Sequence, residues 1–286
     1  GLRTLFFTEM WERMSYYGMR GILVLFMTAS INNGGLDFNN VSASAIYGIY
    51  AAAVYLMALP GGWLADNIFG QQRTILFGGI VIMFGHLSLA IPNMTFFYLG
   101  LILVVMGTGL LKPNISAIVG GLYENNQSMK ESGFTIFYMS INIGSILGFF
   151  ICGYLGENIG WHYGFGAAGI GMLLGVLQYK LNLNSLGDVG LKPTNLISEE
   201  RKNSYKKIIL MVTILFIIFI LLGLKGLWTI NPVPLANILT LIIASISLIY
   251  FLYIYFLGQL NKDEKKKIVM IFILFIGAAL FWSGFD

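Results

Sequence analysis

Nine apolar runs near twenty residues long recur along the chain and constrain its fold more than any other feature. A helix of about twenty residues crosses a hydrocarbon core of about 30 Å, whereas a β-barrel would alternate polar and apolar residues. The runs lie at 4–31, 42–65, 74–92, 95–121, 132–155, 161–180, 207–228, 233–258 and 268–286. The sequence therefore predicts an all-α membrane protein.

Composition supports the same class of protein. Of 286 residues, 57% are hydrophobic and 10% are charged, where a soluble domain has about a quarter charged. The single cysteine, Cys152, lies inside an apolar run, so we expect neither a disulfide framework nor a cysteine metal site. The sequence contains no metal-ligand spacing of His, Cys and Glu, no GxSxG and no Walker loop. We therefore expect no enzyme, no metal and no cofactor.

The distribution of charge predicts the orientation in the membrane. With a cytoplasmic N-terminus, one side of the membrane receives most of the basic loop residues: Arg73, Lys130 and the segments 180–207 and 262–267. The opposite loops hold little beyond Asp37, Glu157 and Lys225. This asymmetry is the positive-inside pattern, so the N-terminus is predicted to be cytoplasmic. The same pattern explains the net charge of +4, and no nucleic-acid partner is expected.

Two breaks divide the chain. The long polar stretch 181–206 separates the first six runs from the rest, and "NPVP" at 231–234 splits the next apolar region into two helices. These two helices carry few charges, which is typical of a structural hairpin that faces lipid. The last run ends at Asp286 without a polar exit, so we expect the chain to be the front portion of something longer.

The first run carries a polar face. At about 100° per residue, its polar residues share an arc of roughly 100°: Glu9, Glu12, Arg13, Tyr16 and Arg20, with Tyr17 at the margin. A charge at mid-membrane costs about 2.5–3.5 kcal/mol, so this face must look into protein or a water-filled cavity. Glu9 and Arg13 are four apart and are predicted to pair, which leaves Glu12 free for another partner or a proton. Both a titrating site with a separate anion hook and a static ion-pair cluster fit this pattern.

Polar groups on the fourth and fifth runs support a site inside the bundle. Lys112 precedes Pro113, which removes a backbone donor and frees carbonyls that need a partner or a cavity. On the fifth run, spacings of four and three bring Tyr138, Asn142 and Ser145 to one face. For Asn142, an interhelical hydrogen bond and a ligand contact both remain open.

The stretch "GGWLADNIFGQQRTILFGG" at 61–79 places Asp66 and Arg73 at a short cytoplasmic turn. Asp66 is expected to cap a helix end or to bind an arginine of a neighbouring helix, and the turn is expected to act in gating. Its pattern Gly-x-x-x-Asp-x-x-x-Gly-x-x-x-Thr resembles the signature loop of the major facilitator superfamily, a fold of two six-helix bundles.

Further motifs resemble one family within that superfamily, the proton-coupled oligopeptide transporters, from the first residue to about 180. They are "ExxER" at 9–13, "YYGMR" at 16–20, "GxGxxKPN" at 107–114, "FYxSINIGS" at 137–145 and "GWHYGFGAAGIGM" at 160–172. Farther along, "FWSGFD" at 281–286 resembles the start of the family's seventh core helix.

The resemblance implies a division of the chain. Residues 1–180 would form the N-terminal six-helix bundle, 181–206 a cytoplasmic linker, 207–258 an inserted helix pair, 259–267 a cytoplasmic loop, and 268–286 the first helix of the C-terminal bundle. It implies import of di- and tripeptides with protons as coupling ion, in a bacterial inner membrane. The implied partners are the peptide, membrane lipid and the C-terminal bundle of the same protein.

The resemblance also implies roles for single residues. Glu9, Glu12 and Arg13 would couple protons, and Arg20 and Lys112 would hold the peptide carboxylate. The pocket would be lined by Tyr16, Tyr17, Tyr55, Tyr138, Asn142 and Trp282. The gating residues would be Asp66, Arg73 and Asp286, the last by pairing with Arg20.

This chain lacks the histidine that some family members carry on the second helix. Another small solute of the superfamily, a channel, and a transporter-like receptor without coupled transport stay open as alternatives.

Overall fold

The computed structural model describes residues 1–124, 126–195, 197–224 and 231–285. Helices dominate this part of the chain: α1 Leu2–Thr28, α2 Asn40–Leu64, α3 Gln71–Leu89, α4 Met94–Leu122, α5 Gln127–Gly148, α6 Tyr154–Asn158, α7 Trp161–Leu181, α8 Glu199–Leu224, α9 Pro232–Leu257 and α10 Lys262–Phe285. The chain divides into two compact units, Gly1–Ile230 and Asn231–Asp286.

The first unit contains a helix bundle. In it α1 packs against α5 and α7, α3 packs against α4 and α7, and α2 packs against α4. Helix α5 continues through a π-helical turn, Phe149–Gly153, into α6, so that Gln127–Asn158 forms one span. Residues 1–181 thus contain the six long helices that the apolar runs predict.

Six helical spans are long and apolar enough to cross a membrane: Asn40–Phe69, Gln71–Leu89, Met94–Leu122, Gln127–Asn158, Pro232–Leu257 and Lys262–Ser283. Helix α1 is not among these six spans, and it carries five charged residues spread along its length, Arg3, Glu9, Glu12, Arg13 and Arg20. Helices α5 and α7 pack against α1, and its residues Glu9, Glu12 and Arg13 are buried. The first helix is therefore the polar centre of an otherwise apolar bundle.

Close contact between α3 and α4 depends on glycine. A Cβ atom on Gly107 would stand 2.6 Å from the carbonyl oxygen of Gly78, and one on Gly78 would stand 2.7 Å from the carbonyl oxygen of Gly107. Small residues let membrane helices approach until their backbones touch. Such close packing stabilises helix association in lipid, where the hydrophobic effect does not drive helices together. This contact fixes the position of α4, which carries Lys112.

The polar stretch after α7 lies against the bundle as what we call the linker strap, residues 183–195. It starts with a 3₁₀ turn, Leu183–Leu186, in which Leu186 is buried in the core. The hydroxyls of Ser185 and Thr4 are hydrogen-bonded at 2.7 Å, which joins the strap to α1. The following helix α8 begins at Glu199, eight residues before the predicted run at 207. The predicted linker therefore combines a docked strap with the first turns of a helix.

The second unit is a helical hairpin. Phe251 of α9 packs against Phe272 and Phe275 of α10, with ring centroids 5.0 and 5.6 Å apart. Asn261 accepts hydrogen bonds from the backbone N–H of Asp263 and Glu264, and the Glu264 carboxylate accepts from the Asn261 N–H. This capping box starts α10 at Lys262, six residues before the predicted residue 268. The assignment of the later segments to an inserted pair and a C-terminal bundle stays a prediction.

Candidate functional site

Three ionisable side chains of α1 are almost completely buried. Glu9 and Arg13 are each 2% exposed and Glu12 is 0% exposed. They are buried because α1 packs between α5 and α7, where Gly144 of α5 allows the two helices to approach at Arg13. A side chain that is charged and buried must be paired, because desolvation otherwise drives it to its neutral form. These three residues form what we call the ionic cluster.

Arg13 is the centre of the ionic cluster. Its Nε atom lies 3.0 Å from Oε1 of Glu9, which confirms the predicted pairing over one helical turn. The same Nε also contacts Oε2 of Glu12, so the expectation that Glu12 has no partner on α1 is wrong. Adjacent helix residues do not normally face each other. The long arginine side chain nevertheless reaches both acids, since burial leaves it as their nearest cation.

The hydrogen bonding of the ionic cluster is incomplete. Among the described groups, neither a hydrogen bond nor an ion pair is found for Glu9 Oε2, Glu12 Oε1 or Arg13 Nη2. When all three are ionised, two carboxylates face one guanidinium and the net charge is minus one. One proton on either carboxylate makes the cluster neutral. The arrangement is thus able to accept a proton without creating a buried net charge.

An aromatic wall covers the guanidinium. The Cζ atom of Arg13 lies 5.2 Å from the ring centroid of Tyr16 and 6.0 Å from that of Tyr17. Tyr16 in turn stacks on Tyr50 of α2, with centroids 6.4 Å apart. Cation–π contacts of this kind stabilise a desolvated cation. The structure therefore places both predicted tyrosines of α1 beside the cluster and adds Tyr50.

Two further cations lie on the same bundle, each with a tyrosine of α2. Arg20 Nε donates to the hydroxyl of Tyr47, and its Cζ lies 5.3 Å from that ring centroid. Lys112 Nζ lies 5.0 Å from the ring centroid of Tyr55. Both cations are partly buried, and Lys112 is within electrostatic reach of the ionic cluster and Arg20. Lys112 and Tyr55 therefore lie side by side, and their roles in binding stay predictions.

Sequence reasoning missed Tyr47 and Tyr50. They are three residues apart on α2 and hence lie on one face of that helix. This face contacts the polar face of α1, where Tyr47 binds Arg20 and Tyr50 stacks on Tyr16. The signal was available in "YGIYAAAVY", where tyrosines stand at 47, 50 and 55. Tyr47 and Tyr50 share one helical face with Ala43 and Ile46. This spacing is typical of the apolar core face of a helix, so the sequence did not indicate their contacts with α1.

Asn114, immediately after Pro113, is a third residue whose role the sequence did not predict. Helix α4 continues through the proline, and the Asn114 side-chain amide donates to the carbonyl oxygens of Leu110 at 2.7 Å and of Gly61 at 3.3 Å. Gly61 belongs to α2, so this amide joins the two helices two residues after Lys112. The polar sequence around the proline thus stabilises the position of the cation.

The predicted site residues of α5 lie apart from these contacts. Tyr138 is 58% exposed and stacks on Phe134, with centroids 6.2 Å apart. Asn142 is exposed, and its carbonyl oxygen accepts from Ser145 Oγ at 2.9 Å. In the described part of the chain, the Asn142 side chain makes no interhelical hydrogen bond. Both residues are accessible on the surface of the bundle.

The predicted gating residues lie at the turn between α2 and α3. Asp66 is in the π-helical turn Ala65–Phe69, where its carboxylate accepts from Thr194 Oγ1 at 3.4 Å and its carbonyl oxygen accepts from Asn195 N–H at 2.9 Å. Its partners are therefore in the linker strap. Arg73 is exposed on the first turn of α3. Gly70 between them has φ of 79°, a left-handed conformation that favours glycine.

The last two predicted residues are in the second unit. Trp282 lies on α10, is 53% exposed and has its ring centroid 5.4 Å from that of Phe281. Asp286 lies outside the described residues. The roles of Trp282 and Asp286 therefore stay predictions.

The six-helix bundle, its membrane-length spans and its buried ionic cluster define an integral membrane protein with the fold of the major facilitator superfamily. A solved structure of a peptide transporter of this fold, in complex with sulfate, superposes with a TM-score of 0.87 at 38% identity and covers 99% of this chain. The chain belongs to the POT family, whose model matches residues 72–286.

Curated relatives agree with this assignment. An uncharacterized transporter, YclF, of Bacillus subtilis is 43% identical over 99% of this chain and 57% of its own length. A di-/tripeptide transporter of Lactococcus lactis is 38% identical over 99% of this chain and 58% of its own length. The chain also spans 57% of the solved structure. It therefore covers a little more than half the length of these proteins, all of which are named as transporters.

Proposed function

We propose that the protein imports di- and tripeptides together with protons by alternating access across a bacterial inner membrane, with its N-terminus in the cytoplasm. The observation that carries this proposal is the buried ionic cluster, where one proton balances the charge, on the same bundle as two separate cations. The names of the Lactococcus relative and of the solved structure support the peptide substrate. Protons are the coupling ion, and no other cofactor is required.

Coupling follows from the charge balance of the ionic cluster. Arg13 contacts both carboxylates in the described state. Protonation of one carboxylate removes its attraction to the guanidinium, so Arg13 is then held by one acid instead of two. The free energy of this change differs between states that bury and states that expose the cluster, and it biases the equilibrium between them.

Peptide recognition uses the two partly buried cations. Arg20 offers a planar fork and Lys112 a compact ammonium, and together these suit the C-terminal carboxylate of a peptide. Tyr55 and Tyr47 orient the cations, and Tyr16 and Tyr17 limit the depth of the pocket. Tyr138 and Asn142 on the exposed face of α5 contact the peptide backbone, and Trp282 shapes a side-chain pocket.

Gating is proposed at the two ends of the pathway. On the cytoplasmic side, Asp66 and Arg73 flank the turn that the linker strap covers. On the outer side, Asp286 pairs with Arg20 when the gate closes. Membrane lipid and the C-terminal bundle of the same protein are the expected partners. The alternatives are another small solute of the superfamily and a receptor-like protein without coupled transport.

The test is uptake of labelled dialanine by proteoliposomes that contain the full-length protein, with and without an inside-alkaline gradient. We expect gradient-driven uptake in the wild type and its loss in Glu12→Gln, which retains exchange of peptide for peptide. Glu131→Gln is the matched control, since Glu131 is exposed on α5. Absence of uptake and of dipeptide competition in the wild type would contradict the peptide substrate. Gradient-driven uptake that persists in Glu12→Gln would contradict the role of the cluster.

A further inference from the structure

Tyr50 is a buried tyrosine whose hydroxyl has no visible structural task. Its side chain is 3% exposed on α2, and its ring stacks on Tyr16 with centroids 6.4 Å apart. Among the described groups, its Oη atom has no hydrogen-bond partner. Phenylalanine would supply the same packing, and a buried unpaired hydroxyl costs free energy of desolvation. The hydroxyl therefore requires a reason that packing does not provide.

The surroundings of the hydroxyl are charged. Four side chains of α1 lie within electrostatic reach of the hydroxyl: Glu12, Arg13, Tyr16 and Arg20. From α4, Lys112 acts on Glu9 and Glu12. Of the two carboxylates of the ionic cluster, Glu12 lies within electrostatic reach of Tyr50, and Glu9 lies about one turn farther along α1. Tyr16 lies about one turn after Glu12 on α1, and its ring stacks on the ring of Tyr50.

The hydrogen-bonding groups on the two sides are complementary. An ionised carboxylate accepts hydrogen bonds and a tyrosine hydroxyl donates one. Glu12 Oε1 and the Oη of Tyr50 are buried without hydrogen-bond partners among the described groups, whereas Glu12 Oε2 contacts Arg13. The proposed hydrogen bond would need a rotation of the Glu12 side chain or one bridging water, and water-mediated bonds are almost as favourable as direct ones.

We propose that Tyr50 is a positioning residue of the ionic cluster, whose hydroxyl donates to the ionised Glu12 carboxylate and thereby sets the pH at which the cluster takes up its proton. This inference rests on the proposed proton-coupled function and adds a residue of α2 to it. The donated hydrogen bond stabilises the ionised state only. The cluster then releases its proton more readily than two acids beside one arginine would.

The experiment compares Tyr50→Phe with wild type in the pH dependence of gradient-driven dialanine uptake. Loss of the donor destabilises the ionised carboxylate, so we expect the pH midpoint to move to higher pH by about 0.5 unit, a roughly threefold increase in proton affinity. The KM for peptide at acidic pH should stay within about twofold of wild type, because the hydroxyl does not touch the peptide.

Tyr179→Phe is the matched control. Tyr179 is 1% exposed, and its hydroxyl donates to the carbonyl oxygen of Gln72 at 3.2 Å, far in sequence from any charged group of the cluster. This variant removes a buried tyrosine hydroxyl of structural purpose and should leave the pH midpoint unchanged. An equal shift in both variants would overturn the inference, because it would report a general effect of packing.

A second substitution tests the sign. Fluorotyrosine in place of Tyr50 keeps the shape and makes the hydroxyl a stronger donor, so the midpoint should move to lower pH. An unchanged midpoint in both Tyr50 variants, with normal wild-type uptake, would sink the inference and leave the proposed function intact. Absence of gradient-driven uptake in the wild type would instead remove the function on which the inference rests.

Discussion

The ionic cluster and the linker strap are two polar regions of the same bundle with opposite hydrogen bonding. The cluster is buried, whereas the strap is mostly exposed and covers the buried side chain of Gln72. At the strap, Gln72 is 5% exposed, its Nε2 donates to the carbonyl oxygens of Gly187 and Val189 at 2.9 Å, and its N–H donates to Gly190 at the same distance. In the cluster, Glu9 Oε2, Glu12 Oε1 and Arg13 Nη2 lack both hydrogen-bond and ion-pair partners among the described groups. Satisfied polar groups favour a single structure, whereas an unsatisfied buried group retains the capacity to bind a further partner.

Removal of the central cation should give the largest effect. Arg13→Met leaves Glu9 and Glu12 buried without their counter-ion. Removing one partner of a buried ion pair typically costs about 3–5 kcal/mol, so we expect a clear loss of thermal stability in detergent and no gradient-driven uptake.

The matched control for Arg13→Met is the triple variant with Glu9→Gln and Glu12→Gln. It removes the uncompensated charge and should recover most of the stability without recovering coupled uptake. Recovery of both would show that the cluster is only structural. Failure to recover stability would show that the arginine contributes through packing more than through charge.

An intermediate effect is expected at the strap. Gln72→Ala leaves the carbonyl oxygens of Gly187 and Val189 without their donor. Gly187 is exposed and Val189 is partly buried, so water can replace the donor in part. Each lost hydrogen bond then costs about 0.5–1.5 kcal/mol, and the unfolding midpoint should fall by a few degrees. Uptake per folded molecule should keep the wild-type pH profile. A shifted pH profile would contradict the contrast between the two regions and would assign a coupling role to the strap.

The smallest effect is expected at Tyr47. Tyr47→Phe removes the hydroxyl that contacts Arg20 and keeps the ring beside the guanidinium. A hydrogen bond to a charged group contributes about 1.5–3 kcal/mol, partly offset here by the retained ring, so KM for dialanine should rise about three- to tenfold. The pH midpoint should not move. Equal KM values in the variant and wild type would show that Tyr47 does not orient Arg20 for binding.

Patterns local to one helix were predictable. Glu9 and Arg13 pair because a separation of four residues brings them together in any α-helix, so the sequence was sufficient for this contact. The six membrane-length segments of residues 1–181 follow from apolar length in the same way. Glu12 was predicted wrongly because adjacent residues diverge on a helix, and only burial between α5 and α7 turns its carboxylate to Arg13.

Contacts between distant residues were not predictable. Tyr50 contacts Tyr16, and Tyr47 contacts Arg20, because of the rotation at which α2 packs beside α1. In sequence, a tyrosine that packs in the core cannot be distinguished from one that contacts a charged side chain. The strap was interpreted as an ordinary polar linker, since its partners Asp66 and Gln72 lie more than a hundred residues earlier.

The sequence by itself determined a helical membrane protein, the polar face of α1 and the family resemblance that the POT family match confirms. These depend on segment length, helical periodicity and local motifs, which neighbouring residues specify. Only the tertiary structure decided which buried polar groups are satisfied and which are not. That distinction depends on the packing of helices from distant parts of the chain, because hydrogen bonds require atoms to meet within about 3 Å.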